Sequence, residues 1–265
     1  YYINFKEKNL QYEHDLIFNN SSKKKFSEIL NSFDISIKKI QELFTTQLNL
    51  NLEKKICVIH IRNEKNDYLR NNNLKTCLKT INYLEKNNFL ILIFSKENFE
   101  INSPNVIFID DNDRNKQIQI LSIILCNLYL GPISGPFHLA KFLNKDMVIT
   151  DCVIYNHLIY QNNFKVIYKK YFKNSKVMSF KSVLENNIEC IWDKKILDNK
   201  GISVIDNNEN EILNATIEVL KKNFDKTIEQ NEIKLLFKEK NYSKNSSFLM
   251  MRNTSNYFLK NLIVS

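Results

Sequence analysis

The segment GPISGPFHLA at residues 131–140 contains two of the three glycines and two of the three prolines of this 265-residue chain. It follows an almost unbroken apolar run, residues 118–130, and precedes a short apolar segment at 147–150. The pattern predicts a strand, a tight turn, a helix and a second strand, because Pro136 suits the first position of a helix and either Ser134 or Gly135 can cap that helix. Free N–H groups at such a helix start attract phosphate.

Helical and extended patterns alternate on both sides of this segment. The sequence predicts strands at 55–61, 89–94, 106–109, 128–130 and 147–150, and helices at 26–48, 74–86, 117–126, 137–143 and 211–224. The strand FLILIF at 89–94 is apolar throughout, which is typical of a parallel strand that is buried on both faces. The alternation predicts an α/β fold with a doubly wound, Rossmann-like parallel sheet. We also expect a final helix ending near Leu259 and a loop at 241–247.

The composition favours a globular protein with reduced thiols. The chain has 38 lysines and arginines against 29 aspartates and glutamates, a net charge of +9. Because the lysines are scattered rather than concentrated on one stripe, we favour a solvated basic face over a nucleic-acid site. An odd number of cysteines without a C-x-x-C pair favours buried thiols and a reducing compartment. These cysteines are Cys57, Cys77, Cys126, Cys152 and Cys190.

The sequence shows neither a leader pattern nor a membrane span. The first residues lack a basic start followed by an apolar stretch and a small-residue cleavage site. The longest apolar run, 118–130, contains Gln119 and Asn127 and is shorter than the ~20 residues that cross a bilayer. We therefore expect a cytoplasmic protein and leave open its peripheral association with the inner membrane.

A histidine and an arginine stand at the carboxyl end of the first predicted strand. Since side chains alternate along a strand, His60 and Arg62 in KICVIHIR share one face. Ligands of open α/β sheets bind beyond the carboxyl ends of the strands, and arginine offers a planar fork that binds phosphate oxygens bidentately. The alternative is a surface arginine beside a core histidine that is hydrogen-bonded to the backbone.

The other candidates also have ordinary explanations. A turn rich in glycine and proline commonly joins a strand to a helix, and His138, in the first turn of an apolar helix, is more often packed than reactive. Asp67, Arg70 and Asn71 lie in a polar loop where solvated side chains are expected. The acidic residues 110–113 could suggest a metal, but they lack the spacing of a calcium-binding loop. We interpret them as a solvated loop and predict no metal and no cofactor.

Taken together, two of these features point to one ligand. The strand end at His60 and Arg62 and the helix start at 134–136 both follow strands of the predicted parallel sheet, so we expect them at the same sheet edge. An arginine fork beside the N–H groups of a helix start is the arrangement that a nucleotide diphosphate needs.

The order of the motifs resembles that of a bacterial glycosyltransferase family of GT-B type, from about residue 26 to the end. The matching segments are the H-x-R strand end, RN at 70–71, LGPISGP at 130–136, the strand ending at Thr150, YKK at 168–170, MSF at 178–180, DNNENEI at 206–212 and YFL at 257–259. The H-x-R strand end is also similar to that of bacterial fucosyltransferases. Residues 131–140 resemble the nucleotide-sugar motif of heptosyltransferases, G-x-x-S/T-G-P-x-H-L-A.

The resemblance implies a glycosyltransferase that moves a hexosyl or deoxyhexosyl group from a nucleotide-diphosphate donor to a glycan or other surface-polysaccharide acceptor, without a metal. Arg62 and the helix start would stabilise the leaving diphosphate, and the general base stays unassigned. The residues that would bind substrate are His60, Arg62, Arg70, Asn71, Ser134, Gly135, Pro136 and His138.

The resemblance also implies three parts of the chain. Residues 1–54 would be a helical trailing piece of an acceptor domain, or a linker; residues 55–200 the Rossmann-like nucleotide-sugar-binding domain; and residues 201–265 C-terminal helices that pack back on it. The chain would then be the C-terminal half of a GT-B fold with an incomplete N-terminal part, so we expect a missing N-terminal domain or a partner chain. The alternative function is a non-catalytic nucleotide-sugar-binding or scaffold subunit that needs a partner chain. We expect no nucleic-acid partner.

Overall fold

A computed structural model describes the central part of the chain, namely residues 42, 45–46, 53–65, 68–97, 99–110, 115–153, 163–188, 191 and 193–222. Several predictions lie outside the described residues: the final helix near Leu259, the loop at 241–247, the helix at 26–48 apart from 42 and 45–46, and the candidates at Asp67 and 111–113.

Six parallel strands form the main sheet in the order β3-β2-β1-β4-β5-β6. They are β1 Lys55–His60, β2 Phe89–Ser95, β3 Val106–Asp110, β4 Leu128–Gly131, β5 Asp146–Cys152 and β6 Phe164–Tyr168. The predicted α/β fold with a Rossmann-like parallel sheet is therefore confirmed. The strand order reverses between β1 and β4, where Ile59 pairs with Leu130. Ligands of such sheets bind in the crevice at this reversal, outside the carboxyl ends of the two strands.

Four of the helices pack in two pairs, α1 with α6 and α2 with α3, and each pair also contacts the main sheet. The helices are α1 Leu78–Lys86, α2 Lys116–Leu125, α3 Gly135–Phe142, α4 Phe180–Glu185, α5 Lys194–Asn199 and α6 Glu209–Leu220. The predicted helix at 74–86 starts with a 3-10 turn, Leu74–Cys77, which the Asn73 side chain caps. The last described helix begins two residues earlier than predicted because Asn208 and Glu211 form a capping box.

A small antiparallel sheet in the order β8-β7-β9 was not predicted. Its strands are β7 Lys170–Lys173, β8 Lys176–Val177 and β9 Ile202–Ile205. They are too short to show a clear alternation of apolar and polar residues. Asn174 and Ser175 join β7 to β8 with φ of 51° and 61°, the left-handed conformation that tight hairpin turns require. Because β7 pairs with β9, residues beyond 200 pack directly on those before it.

The core contains the predicted reduced thiols. Every residue of β2 is buried, as expected for an apolar parallel strand. Cys57, Cys77, Cys126 and Cys152 are free and buried, which confirms the prediction for these four. Burial raises the pKa of Cys77 and Cys126 to about 12, so both thiols are protonated and unreactive at neutral pH.

A buried aspartate at the end of β5 ties the main sheet to the start of α6. Asp151 has a left-handed φ of 52° at a point where the pairing of β5 with β6 shifts register. Its N–H donates to Asn207 Oδ1 (2.6 Å), and its Oδ1 accepts from the N–H of Asn207 (2.9 Å). Asn207 Nδ2 also donates to the carbonyl of Tyr168 (2.7 Å). These bonds connect β5, β6 and the segment before α6.

Asp151 makes stability depend on pH. Burial raises its pKa to about 7, although the charge of Lys169 and the N–H of Asn207 lower it. The folded state then binds more protons than the unfolded state between about pH 4 and 7, so the free energy of unfolding falls as pH rises through that range. We expect Asp151→Asn, which keeps the Oδ1 acceptor and tolerates the left-handed backbone, to stabilise the protein by roughly 1–3 kcal/mol near pH 8.

Urea unfolding of the parent and the variant across that pH range measures this effect. The matched control is Asp206→Asn, because Asp206 lies beside the same lysine but is 46% exposed; we expect it to change stability by no more than about 1 kcal/mol. A parent whose stability is constant between about pH 4 and 7 would contradict this interpretation of Asp151.

Candidate functional site

The strand end that carries the H-x-R motif is held in place by one asparagine. Asn72 Oδ1 accepts from the N–H of Arg62 (2.7 Å), and Asn72 Nδ2 donates to the carbonyl of His60 (3.0 Å). His60 is 4% exposed and Arg62 is half-buried. Asn72 therefore replaces the strand partner that β1 loses at its carboxyl end, and it fixes the backbone from which both side chains project.

The glycine at the end of β4 allows the turn to pass close to β1. A Cβ atom on Gly131 would lie 2.9 Å from the carbonyl oxygen of His60 and 3.1 Å from Tyr129 Oη. Both distances are shorter than ordinary carbon–oxygen contacts, and the nearer one is to backbone. A side chain at position 131 would push the 131–136 turn away from the His60 strand end.

The start of α3 has the backbone of a capped helix but no side-chain cap. Ser134 is the N-cap residue, with extended φ and ψ of −161° and 179°, yet its hydroxyl makes no capping hydrogen bond. Ser134 is thus the capping residue by backbone position, one of the two alternatives predicted, while its Oγ lies 2.9 Å from His60 Nδ1 and 3.3 Å from Tyr129 Oη. Gly135 opens the helix and Pro136 follows it. The N–H groups of Gly135 and Phe137 have no intrahelical partner, as in any first helical turn.

The strand end and the helix start line one cleft of about 330 Å³ at the sheet reversal. Polar side chains of the lining include His60, Arg62, Lys116, Gln119 and Ser134; Gly135 and Pro136 line it at the helix start, and its apolar wall is formed by Ile120, Ile123 and Leu139. Glu64 also lines the cleft, but its carboxylate is 2.6 Å from Lys96 Nζ. Arg62, Lys116 and the start of α3 are groups of the kind that bind anions.

Three of the predicted binding residues do not line this cleft. Asn71 supports the loop after β1: its Oδ1 accepts from the N–H of Glu64 (2.9 Å) and its Nδ2 donates to the carbonyl of Glu64 (3.0 Å). His138 is exposed on α3, with its ring edge against Phe137 at 5.0 Å between centroids. Arg70 is half-buried in a 3-10 turn, Tyr68–Arg70. The structure thus brings His60, Arg62 and 134–136 together and leaves Arg70, Asn71 and His138 apart from them.

A neighbouring groove of about 590 Å³ lies on the other side of the β1 strand end. Its lining includes Asn71, Lys169 and Asp206. Lys169 Nζ donates to the carbonyl of Asn71 (2.6 Å) and to Asp206 Oδ1 (2.5 Å). Lys75 and Glu97 also line this groove. Because its two lysines are matched by two acidic side chains and Lys169 is paired with Asp206, this groove suits an anion less than the first cleft does.

Several residues that shape the cleft were not predicted from the sequence. Lys116 and Gln119 lie one helical turn apart on α2, a spacing that could have been noticed, but polar residues near a helix start are common. Ile120 is 48% exposed, although in sequence it is part of the apolar run. Tyr129 looked like an ordinary core residue of β4.

Two general properties of the described part of the chain bear on function. Within residues 53–222, apart from the gaps given above, no three side chains of histidine, cysteine, aspartate or glutamate cluster as metal ligands. None of the helices described there is both long and apolar enough to cross a membrane.

The solved structures that are partly similar to this chain include two glycosyltransferases. E. coli ADP-heptose LPS heptosyltransferase II is 14% identical, with a TM-score of 0.36 over 42% of this chain and 36% of that chain. WaaG, a glycosyltransferase involved in lipopolysaccharide biosynthesis, is 12% identical, with a TM-score of 0.29 over 44% of this chain and 34% of that chain. The chain thus spans about a third of each structure. No protein-family profile matches the sequence, and no curated protein matches it significantly.

Proposed function

We propose that the chain is the nucleotide-sugar-binding half of a GT-B glycosyltransferase, which moves a sugar from a nucleotide-diphosphate donor to a glycan acceptor. The observation that carries the proposal is the single cleft at the sheet reversal that Arg62 and the start of α3 share. The sequence resemblance to GT-B glycosyltransferases supports it independently. The acceptor would bind to an N-terminal domain or a partner chain, and the enzyme would act in the cytoplasm, at or near the inner membrane.

Arg62 and α3 would act on the leaving group. When an acceptor oxygen attacks the anomeric carbon, the bond from that carbon to the diphosphate breaks and negative charge grows on the phosphate oxygens. The Arg62 guanidinium and the N–H groups of Gly135 and Phe137 would stabilise this charge without needing to rearrange. This electrostatic role does not require a metal ion.

The apolar wall of the cleft would contact the nucleoside. Ile120, Ile123 and Leu139 lie beside the polar groups that would bind phosphate, and an apolar surface next to an anion site suits a planar base joined to a diphosphate. Gln119, which also lines the cleft, could add a hydrogen bond to the sugar or base.

Thermal unfolding with added ligands tests the proposal. A ligand that binds only the folded state raises the melting temperature, so at least one of UDP, GDP, ADP and dTDP should do so at millimolar concentration. Release of nucleoside diphosphate from the matching nucleotide sugar, stimulated by a bacterial glycan fraction, would separate a transferase from a non-catalytic binding subunit. If no nucleotide shifts the melting temperature while single-stranded DNA binds with steep salt dependence, the proposal is wrong.

We expect Ile120→Ser to weaken nucleoside diphosphate binding about three- to tenfold and to leave inorganic pyrophosphate binding unchanged, because it removes apolar contact without adding charge. Isothermal titration calorimetry with both ligands measures the difference. The matched control is Ile196→Ser, since Ile196 is similarly exposed (44%) but lies on α5, outside the cleft. Equal losses of affinity for the two ligands would place the nucleoside elsewhere.

A further inference from the structure

A chain of three buried polar side chains joins β4 to β1 beside the cleft. Tyr129 Oη lies 3.3 Å from Ser134 Oγ, and Ser134 Oγ lies 2.9 Å from Nδ1 of His60. Tyr129 is completely buried, and Ser134 and His60 are 5% and 4% exposed. The tyrosine does not line the cleft, so it can affect a ligand only through the other two side chains.

The direction of these hydrogen bonds follows from the hydrogens available. Tyrosine and serine hydroxyls each have one hydrogen to donate. In the part of the chain that the structure describes, Ser134 Oγ is the hydrogen-bond partner of Tyr129 Oη, so the Tyr129 hydroxyl donates to Ser134. The other partner of Ser134 Oγ there is Nδ1 of His60, so the Ser134 hydrogen is donated to Nδ1; a donating Nδ1–H would leave that hydrogen without an acceptor. The opposite direction would leave the buried hydroxyl hydrogen of Tyr129 without an acceptor, which is costly.

The environment of Tyr129 keeps it a donor. Burial raises the pKa of its hydroxyl well above the ordinary value, so the hydrogen stays on the oxygen throughout the physiological range. Gly131 contributes as well, because a Cβ there would lie 3.1 Å from Tyr129 Oη and would crowd the hydroxyl.

We infer that Tyr129 is a positioning residue that, through Ser134, holds His60 as the neutral tautomer with its hydrogen on Nε2. Nδ1 then accepts from Ser134, and His60 presents an N–H donor to an anion in the cleft. The nature of that anion, a diphosphate, rests on the proposed function. A protonated Nε2 donates to a phosphate oxygen and has no lone pair with which to accept a proton, so Nε2 of His60 is not the general base of the reaction.

The same chain of hydrogen bonds explains why the Ser134 side chain makes no capping hydrogen bond to α3. Its hydroxyl hydrogen goes to His60 and its oxygen accepts from Tyr129, so the oxygen is turned away from the N–H groups of the first helical turn. Those groups are left for the ligand. The hydrogen-bond chain thus positions two of the three groups that would bind phosphate, namely His60 and the N–H groups at the start of α3. Arg62 is the third.

Long-range proton–nitrogen NMR of the ligand-free protein near pH 8, where histidine is neutral, tests the inference directly. The sequence has four histidines, and the signal that disappears in His60→Gln identifies residue 60. We expect the Nε2–H tautomer in the parent and a mixture of both tautomers in Tyr129→Phe. The control Tyr83→Phe removes the same atom from α1 and should leave the His60 signal unchanged.

Pyrophosphate binding provides the second readout. We expect Tyr129→Phe to lower pyrophosphate affinity about three- to tenfold, the effect of a weakened hydrogen bond, while Tyr83→Phe has no effect. A parent with the hydrogen on Nδ1, or a Tyr129→Phe variant with an unchanged tautomer, would overturn the inference. A parent with the Nε2–H tautomer that binds no pyrophosphate would support the hydrogen-bond chain and contradict the diphosphate site instead.

Discussion

Arg62→Ala should weaken binding of a nucleoside diphosphate by roughly 1.5–3 kcal/mol, which corresponds to about 10- to 150-fold in affinity. The reason is the loss of charge-assisted hydrogen bonds from the guanidinium of Arg62, a residue whose backbone N–H donates to Asn72 at the strand end. Arg62→Lys should recover part of the loss, because an ammonium group keeps the charge but loses the bidentate fork. Calorimetric titration of the parent and both variants measures these differences.

A second arginine supplies the control for this experiment. Arg70 is half-buried like Arg62 but does not line the cleft, so Arg70→Ala should leave nucleotide affinity unchanged. Urea midpoints of all variants separate a loss of binding from a loss of folding. If Arg62→Ala binds nucleotide as tightly as the parent does, the Arg62 guanidinium does not contact the ligand. The proposed diphosphate site would then lack its main binding group.

Gly131→Ala should destabilise the protein by about 2–3 kcal/mol, near the upper end of the range for overpacking a buried site. The added methyl group would lie 2.9 Å from the carbonyl oxygen of His60, which cannot move without disturbing β1. The same displacement should weaken diphosphate binding, since it separates His60 from Ser134. Urea unfolding measures the first effect and calorimetry the second.

The other glycine of the same turn is a matched control. Gly135 is exposed, and a Cβ there would have no heavy atom within 4 Å among its described surroundings. Because alanine favours a helix more than glycine does, Gly135→Ala should be neutral or stabilising by up to about 1 kcal/mol. Equal stability of the two alanine variants would show that the close approach of the 131–136 turn to β1 does not constrain position 131.

The main sheet could be predicted because its strands have a clear apolar pattern in the sequence. FLILIF and VIFI are short apolar runs of aromatic, leucine and β-branched residues, which is typical of parallel strands, and the helices that alternate with the strands along the chain favour a doubly wound arrangement. The meeting of His60, Arg62 and the 134–136 turn followed from the same reasoning, because the carboxyl ends of parallel strands share one edge. The short strands β7 to β9 have no comparable pattern, so their strand conformation depends on pairing between residues that are distant in the sequence.

The details of the cleft could not be predicted, because they depend on side-chain orientations and loop paths that the spacing of residues in the sequence does not determine. His138 faces solvent because its neighbour Phe137 occupies the core. Asn71 is hydrogen-bonded to the backbone of Glu64 instead of facing a ligand, because the path of the loop brings these two residues together. Tyr129 is indistinguishable in sequence from a core residue until the position of Ser134 gives its hydroxyl a partner.

A crystal structure with the nucleoside diphosphate that raises the melting temperature most would test the central claim most directly. The proposed function predicts that the diphosphate lies between the Arg62 guanidinium and the first turn of α3, with a phosphate oxygen within hydrogen-bond distance of the Gly135 or Phe137 N–H. A diphosphate bound instead in the neighbouring groove, beside Lys169 and Asp206, would contradict the claim.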